Sequence, residues 1–126
     1  MRILIVDDST VMRALIKRVA RLAGVPNDGV LEASNGADAL QLLEKHDVNV
    51  LLTDINMPGM SGAELLRTVA QRERYRDLIR VIISTDGSTA RREEAESLNV
   101  HSYLEKPFSP EALRHVLSQV VTPVQS

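Results

Sequence analysis

Val50-Leu51-Leu52-Thr53-Asp54-Ile55-Asn56-Met57-Pro58-Gly59 is the stretch on which the fold turns. Its first half is an apolar run bounded by turn residues, the pattern of a strand buried on both faces. It stops at a carboxylate, and Pro58-Gly59 then turns the chain. A buried strand that delivers Asp54 to its carboxyl end puts a charge where an open α/β sheet keeps its ligand site. Taken alone, Asp54 reads equally well as a turn-starting aspartate ahead of Pro-Gly. The flanking segments decide between the two.

Upstream, residues 3–6 are a short apolar run that reads as a first buried strand and stops at Asp7-Asp8. Ser9 is a candidate N-cap, and Met12, Leu15, Ile16, Val19 and Leu22 recur at helical spacing until Gly24 and Pro26 close the helix. Arg13, Lys17, Arg18 and Arg21 lie off that stripe and read as a solvated face, with a partner-docking surface as the alternative. After the Asn27-Asp28-Gly29 turn, residues 30–33 form a second strand. Ser34-Asn35-Gly36 is a loop, Ala37, Leu40 and Leu43 carry a second helix to about Lys45, and the central strand spans 48–53.

Downstream, Ser61 can cap a third helix with Leu65, Leu66 and Val69 inward, and Glu64 completes a capping box. Residues 79–84 are a fourth strand, followed by the loop Thr85-Asp86-Gly87-Ser88. The fourth helix, 89–98, carries Arg91, Arg92, Glu93, Glu94 and Glu96, so that Ala90, Ala95 and Leu98 alone remain to anchor it. It is either heavily solvated or held loosely enough to move. Residues 102–105 are a fifth strand, ended by Lys106-Pro107. Ser109-Pro110-Glu111 opens a fifth helix with Leu113, Val116, Leu117 and Val120 inward, and 122–126 is a polar tail.

Five βα units in strict alternation predict an α/β fold: a five-stranded parallel sheet flanked by five helices on both faces. The doubly wound, flavodoxin-like strand order 2-1-3-4-5 has its crevice between strands one and three. That order brings Asp7-Asp8 beside Asp54, while the next two strands end in Ser84 and Lys106. Four strand ends then carry polar or charged residues suited to one site.

Composition excludes several classes. A chain of 126 residues with 44% hydrophobic content reads as one globular domain, 1–126, with its core in 2–121. A formal charge of −2 with interspersed signs argues against a nucleic-acid surface, and zero cysteines exclude disulfide and thiolate chemistry. The apolar run at 3–6 is too short for a signal peptide, and no run approaches membrane-spanning length. The expected location is cytoplasmic.

Three carboxylates at one crevice repel one another, by roughly 4 kcal/mol per pair at about 4 Å and an effective dielectric near 20. Either one is protonated or a cation sits among them. Oxygen donors without Cys or His suit Mg²⁺, which keeps waters that a phosphoryl oxygen can replace. Zinc does not fit, because His46, His101 and His115 are isolated along the chain. A carboxylate beside Mg²⁺ can attack phosphorus and form an acyl phosphate. Lys106 offers a mobile point charge for phosphoryl oxygens and Ser84 a small hydroxyl donor.

These residues together resemble the receiver domains of bacterial two-component response regulators, most closely the stand-alone chemotaxis (CheY-like) type. The matching features are Asp7-Asp8, Thr53-Asp54-Ile55-Asn56-Met57-Pro58-Gly59, Ser84, Tyr103 and Lys106-Pro107, within a resemblance covering about residues 2–121. It implies that Asp54 accepts a phosphoryl group from a histidine kinase, and that Asp8 and Asp54 hold Mg²⁺. Asp7 would act partly through water, and the main-chain carbonyl of Asn56 would be a further ligand. Lys106 would pair with the phosphoryl oxygens, Ser84 would swing toward them, and Tyr103 would turn inward behind Ser84. Pro107 would follow a cis bond.

The resemblance further implies a binary switch with helix four as its moving part. Helix four, strand five and helix five would form the output face toward a downstream target protein, and the basic residues of helix one would dock the kinase. A monomer is expected, with dimerisation on activation left open, and no nucleic acid or membrane as partner. Thr85 departs from the Ala or Gly usual in the family and could narrow access to the phosphoryl group. The loop 24–29 is slightly longer than expected of close relatives. A phosphohydrolase of the haloacid-dehalogenase type is disfavoured, because Asn56 stands where its acid/base aspartate belongs. A pseudo-receiver that never takes phosphate is disfavoured by the intact acidic residues and lysine. A DNA-binding regulator is disfavoured because no effector domain is expected after helix five.

Overall fold

Five strands form one parallel sheet in the order β2-β1-β3-β4-β5. They are β1 Ile3–Val6, β2 Val30–Ala33, β3 Val50–Asp54, β4 Ile79–Ser84 and β5 Ser102–Glu105. Between and after them run α1 Thr10–Leu22, α2 Gly36–Lys45, α3 Gly62–Ala70, α4 Thr89–Ser97 and α5 Pro110–Val120. The computed structural model describes residues 1–55, 57, 59–85, 88–98 and 100–120, with the backbone alone for 89, 91 and 120. Asn56 with its carbonyl, Pro58, Asp86, Gly87, the side chain of Val120 and the tail 122–126 lie outside the described residues.

Strand alternation divides the interior into two layers. Leu4, Val6, Leu51 and Ile82 face Ala39, Leu43, Leu65, Leu66, Val69, Ala95 and Leu98. Ile3, Ile5, Val50, Leu52, Val81 and Ile83 face Ile16, Val19, Ala20, Leu113 and Leu117. Every residue of β1 is buried, which is why that strand reads as an unbroken apolar run. Each fully buried Leu or Ile contributes about 1.5–3 kcal/mol. Register then fixes the site: Val6 pairs with Thr53 and Ser84 with Glu105, so Asp7, Asp54 and Lys106 emerge at one edge.

Several expected boundaries and faces are corrected. The central strand spans Val50–Asp54 rather than 48–53. The N–H groups of Asn49 and Val50 both donate to the Arg2 carbonyl, so the ladder starts there and Val48 only flanks the core. Leu22 is 65% exposed, because the inward line of α1 runs through Ile16, Val19 and Ala20. In α2 the line is Gly36, Ala39 and Leu43, with Leu40 at its margin, and Ala37 faces solvent. Ala90 is exposed as well: it lies five residues from Ala95, most of a half-turn away around the helix. Val116 is half-buried between the two fully buried leucines of α5.

Candidate functional site

The acidic pair is split by a sharp turn out of β1. The Asp7 N–H donates to the Ala33 carbonyl at 3.1 Å, and the Asp7 side chain accepts the Ser9 N–H at 2.8 Å. Ser9 in turn caps α1, its hydroxyl accepting from the Met12 N–H at 3.1 Å. The turn buries Asp7 and leaves Asp8 exposed.

Asp54 arrives from the neighbouring strand. Buried Thr53 donates its hydroxyl to the Asp54 carbonyl at 2.8 Å. The chain then folds back, so that the Gly62 N–H at the start of α3 donates to the Ile55 carbonyl at 3.0 Å. A Cβ on Gly62 would overlap the Asp54 carbonyl oxygen, so the close approach of helix to strand requires glycine here. Oxygen atoms of Asp7, Asp8 and Asp54 lie within 4.8 Å of one another.

Lys106 closes the site from the far side of β4. Its backbone N–H donates to the Ser84 carbonyl at 2.6 Å, and the Lys106–Pro107 peptide bond is cis. Its Nζ donates to Asp7 Oδ2 at 2.9 Å and to Asp54 Oδ2 at 3.1 Å. The lysine and Asp54 side chains are each 12% exposed and that of Asp7 2%, so the three charges interact with little solvent between them. Burial alone pushes the ammonium pKa down; the hydrogen bonds to Asp7 and Asp54 and their negative charges outweigh it and hold the pKa above the usual lysine value. The lysine is therefore a fixed cation across neutral pH.

Three hard oxygen donors of like charge fit Mg²⁺, which takes one or two carboxylates and retains waters. Asp7 already has one oxygen on the Ser9 N–H and the other on Lys106. Asp54 shares that lysine through its Oδ2, and the exposed Asp8 brings its oxygen to within 4.8 Å of theirs.

Of the expected residues, Asp7, Asp8, Asp54 and Lys106 meet at one point. Ser84 is fully buried at the end of β4, beside the strand that carries Asp54. Tyr103 pairs with Ile82 two rungs further down, on the layer below α4, and is half-buried. Thr85 is exposed. Arg13 is not the solvated cation expected: its side chain is 16% exposed and its Nη1 donates to the Asp7 carbonyl at 2.6 Å. Position alone could have flagged it, since it stands in the first turn of α1, just after the acidic pair. Gly62 has its sequence signal too, a glycine of low helix propensity directly after the cap serine.

Residues 3–118 match the family model described as the response regulator receiver domain. The "Chemotaxis protein CheY homolog" of Campylobacter jejuni is 41% identical over 122 residues, covering 96% of this chain and 92% of that protein. "Chemotaxis protein CheY1" of Helicobacter pylori is 37% identical over 122 residues, with 96% and 97% covered. The solved structure of the chemotaxis response regulator CheY4 of Vibrio cholerae superposes with a TM-score of 0.86 at 30% identity, covering 95% of this chain and 98% of that one.

Proposed function

The chain belongs to the response regulator receiver domain family and is a phosphorelay signalling switch of the chemotaxis kind; from that premise we propose that Asp54 is its phosphoacceptor. The observation that carries this reading is Lys106 Nζ held between Asp7 and Asp54, with the oxygens of all three aspartates gathered beside it. That arrangement supports a site prepared to receive an anion where three negative groups would otherwise repel it.

In the proposed step an Asp54 carboxylate oxygen attacks the phosphorus of a kinase phosphohistidine. A P–O bond forms and the P–N bond breaks; the imidazole leaves with the electron pair and takes up a proton. Catalysis is positioning and charge neutralisation, so few protein groups are needed. Asp8 and Asp54 would hold Mg²⁺, with Asp7 contributing less directly, and the bound ion would neutralise charge developing on the phosphoryl oxygens. Lys106 would shift from Asp54 Oδ2 to a phosphoryl oxygen, a move of one hydrogen bond. The Ser84 hydroxyl would donate to another, and Tyr103 would follow into the space behind it. The chain acts as a switch rather than an enzyme on a separate substrate, taking part in its own phosphorylation and in the slow hydrolysis of the acyl phosphate that resets it.

The output face would be α4, β5 and α5, acting on a downstream target protein, and the exposed Arg18 and Arg21 of α1 are candidates for kinase docking. Among the described residues no helix is long and apolar enough to cross a membrane.

The test is intact mass after incubation with Mg²⁺ and acetyl phosphate. The parent should gain one phosphoryl group and Asp54→Asn none. No adduct on the parent, or equal adducts on both, removes Asp54 from the role.

A further inference from the structure

The chemistry above leaves Arg13 without a part, yet its side chain holds the acidic loop directly. Its Nη1 donates to the Asp7 carbonyl at 2.6 Å, its Nε to Glu32 Oε1 at 3.2 Å and its Nη2 to Thr10 Oγ1 at 3.4 Å. Lys17 Nζ stands 3.7 Å from the second oxygen of Glu32, so β2 presents an anchor to which α1 is tied twice. A tie between helix and strand alone would need only Glu32. The shortest bond goes elsewhere, to the peptide oxygen that joins Asp7 to Asp8.

That peptide is planar, so fixing its oxygen fixes the direction in which the Asp8 backbone leaves β1. Asp7 is aimed by burial, by the Ser9 N–H and by Lys106. Asp8 is exposed, and packing does little to aim it. We propose that Arg13 is a positioning residue for the divalent-ion site: it fixes the Asp7–Asp8 peptide so that the Asp8 carboxylate meets those of Asp7 and Asp54, and Glu32 holds Arg13 to that task. The inference rests on the Mg²⁺ reading given above.

Two effects of Arg13 on a bound cation oppose each other. Its positive charge repels the ion, whereas its grip on the loop favours it. Glu32 at 3.2 Å neutralises the charge locally, which leaves the geometric effect dominant. Lysine cannot replace it, because one ammonium does not span a peptide oxygen, a carboxylate and a hydroxyl as the planar fork does.

Mg²⁺ is titrated calorimetrically into the parent, Arg13→Ala, Arg13→Lys and Glu32→Gln, and the Mg²⁺ dependence of adduct formation with acetyl phosphate is read by intact mass. Arg13→Ala and Arg13→Lys should each raise the Mg²⁺ dissociation constant about tenfold, and Glu32→Gln about threefold. The rate at saturating Mg²⁺ should stay within about twofold of the parent's in all three. Parent-like Mg²⁺ affinity in Arg13→Ala, full rescue by Arg13→Lys, or a tenfold loss of rate that saturating Mg²⁺ does not recover would overturn the proposal. A parent that binds Mg²⁺ but gains no phosphoryl group overturns the phosphoacceptor reading, and calorimetry still decides for or against Arg13. A parent that binds no Mg²⁺ overturns the Arg13 proposal, and the mass adduct still decides for or against Asp54.

Discussion

α3 and α4 are each nine residues long and each follows a strand that ends at the site, yet they are attached in opposite ways. α3 buries Gly62, Ala63, Leu65, Leu66 and Val69, and Ser61 caps it by accepting the Glu64 N–H at 3.2 Å. Among the described side chains of α4 only Ala95 is buried, with Leu98 following just past its end. Arg92 adds a further tie to the sheet: its Cζ lies 4.8 Å from the centroid of the Tyr103 ring and its Nη2 3.5 Å from Glu105 Oε2. Apolar burial is hard to exchange for water, while a half-exposed ion pair is exchanged at little cost. One helix is therefore ground for the site and the other is free to respond to it. A switch needs an element whose alternative positions differ by only a few kcal/mol, and sparse apolar anchoring such as that of α4 is what keeps such a difference small.

The comparison breaks most visibly in α3. Leu66 is fully buried, so Leu66→Ala should cost about 2–5 kcal/mol in urea-induced unfolding. A loss below about 1 kcal/mol would mean that α3 is no better anchored than α4.

Gly62→Ala probes the same helix where it touches the site. The added methyl meets the Asp54 carbonyl and the Ile55 Cα, both backbone atoms that cannot rotate away. Overpacking of this kind costs about 1–3 kcal/mol. Because the displaced group is the backbone of Asp54, adduct formation with acetyl phosphate should slow as well. Lost stability with an unchanged rate would show that strand and helix separate without moving the carboxylate.

How much of this was readable beforehand follows the same division. Strands β1, β2, β4 and β5 fall where the apolar runs put them, and the meeting of Asp7, Asp8, Asp54 and Lys106 follows from strand order and register. Periodicity is a signal about burial, so it reads well wherever burial does the anchoring. It reads poorly where polar groups take over that work. Arg80 sits 5% exposed inside β4, its Nη2 donating to the Tyr75 carbonyl at 2.8 Å, a satisfaction that no pattern of apolar residues foretells. Arg13 escaped in the same way, since a cation off the apolar stripe looks solvated until its acceptors are known. Gly62 escaped because close approach is a property of two segments and is absent from either one alone.

The smallest effect on stability tests the loosely tied side. Arg92 is 47% and Glu105 52% exposed at the side chain, and a cation–π contact of this exposure contributes about 0.5–1 kcal/mol. Arg92→Ala should therefore shift the urea midpoint several-fold less than Leu66→Ala does. It should nonetheless speed amide hydrogen exchange across α4 and leave α3 unaffected, because the lost contacts tie α4 to β5 and do not involve α3. A change of about 1 kcal/mol shifts a two-state ratio roughly fivefold, enough to alter how often α4 leaves the Tyr103 ring without unfolding the domain. Arg92→Lys keeps the charge and loses the flat stacking group, so its exchange should fall between the two. If α4 in Arg92→Ala exchanged as slowly as in the parent, the helix would be held by something other than this arginine, and the contrast with α3 would no longer rest on it.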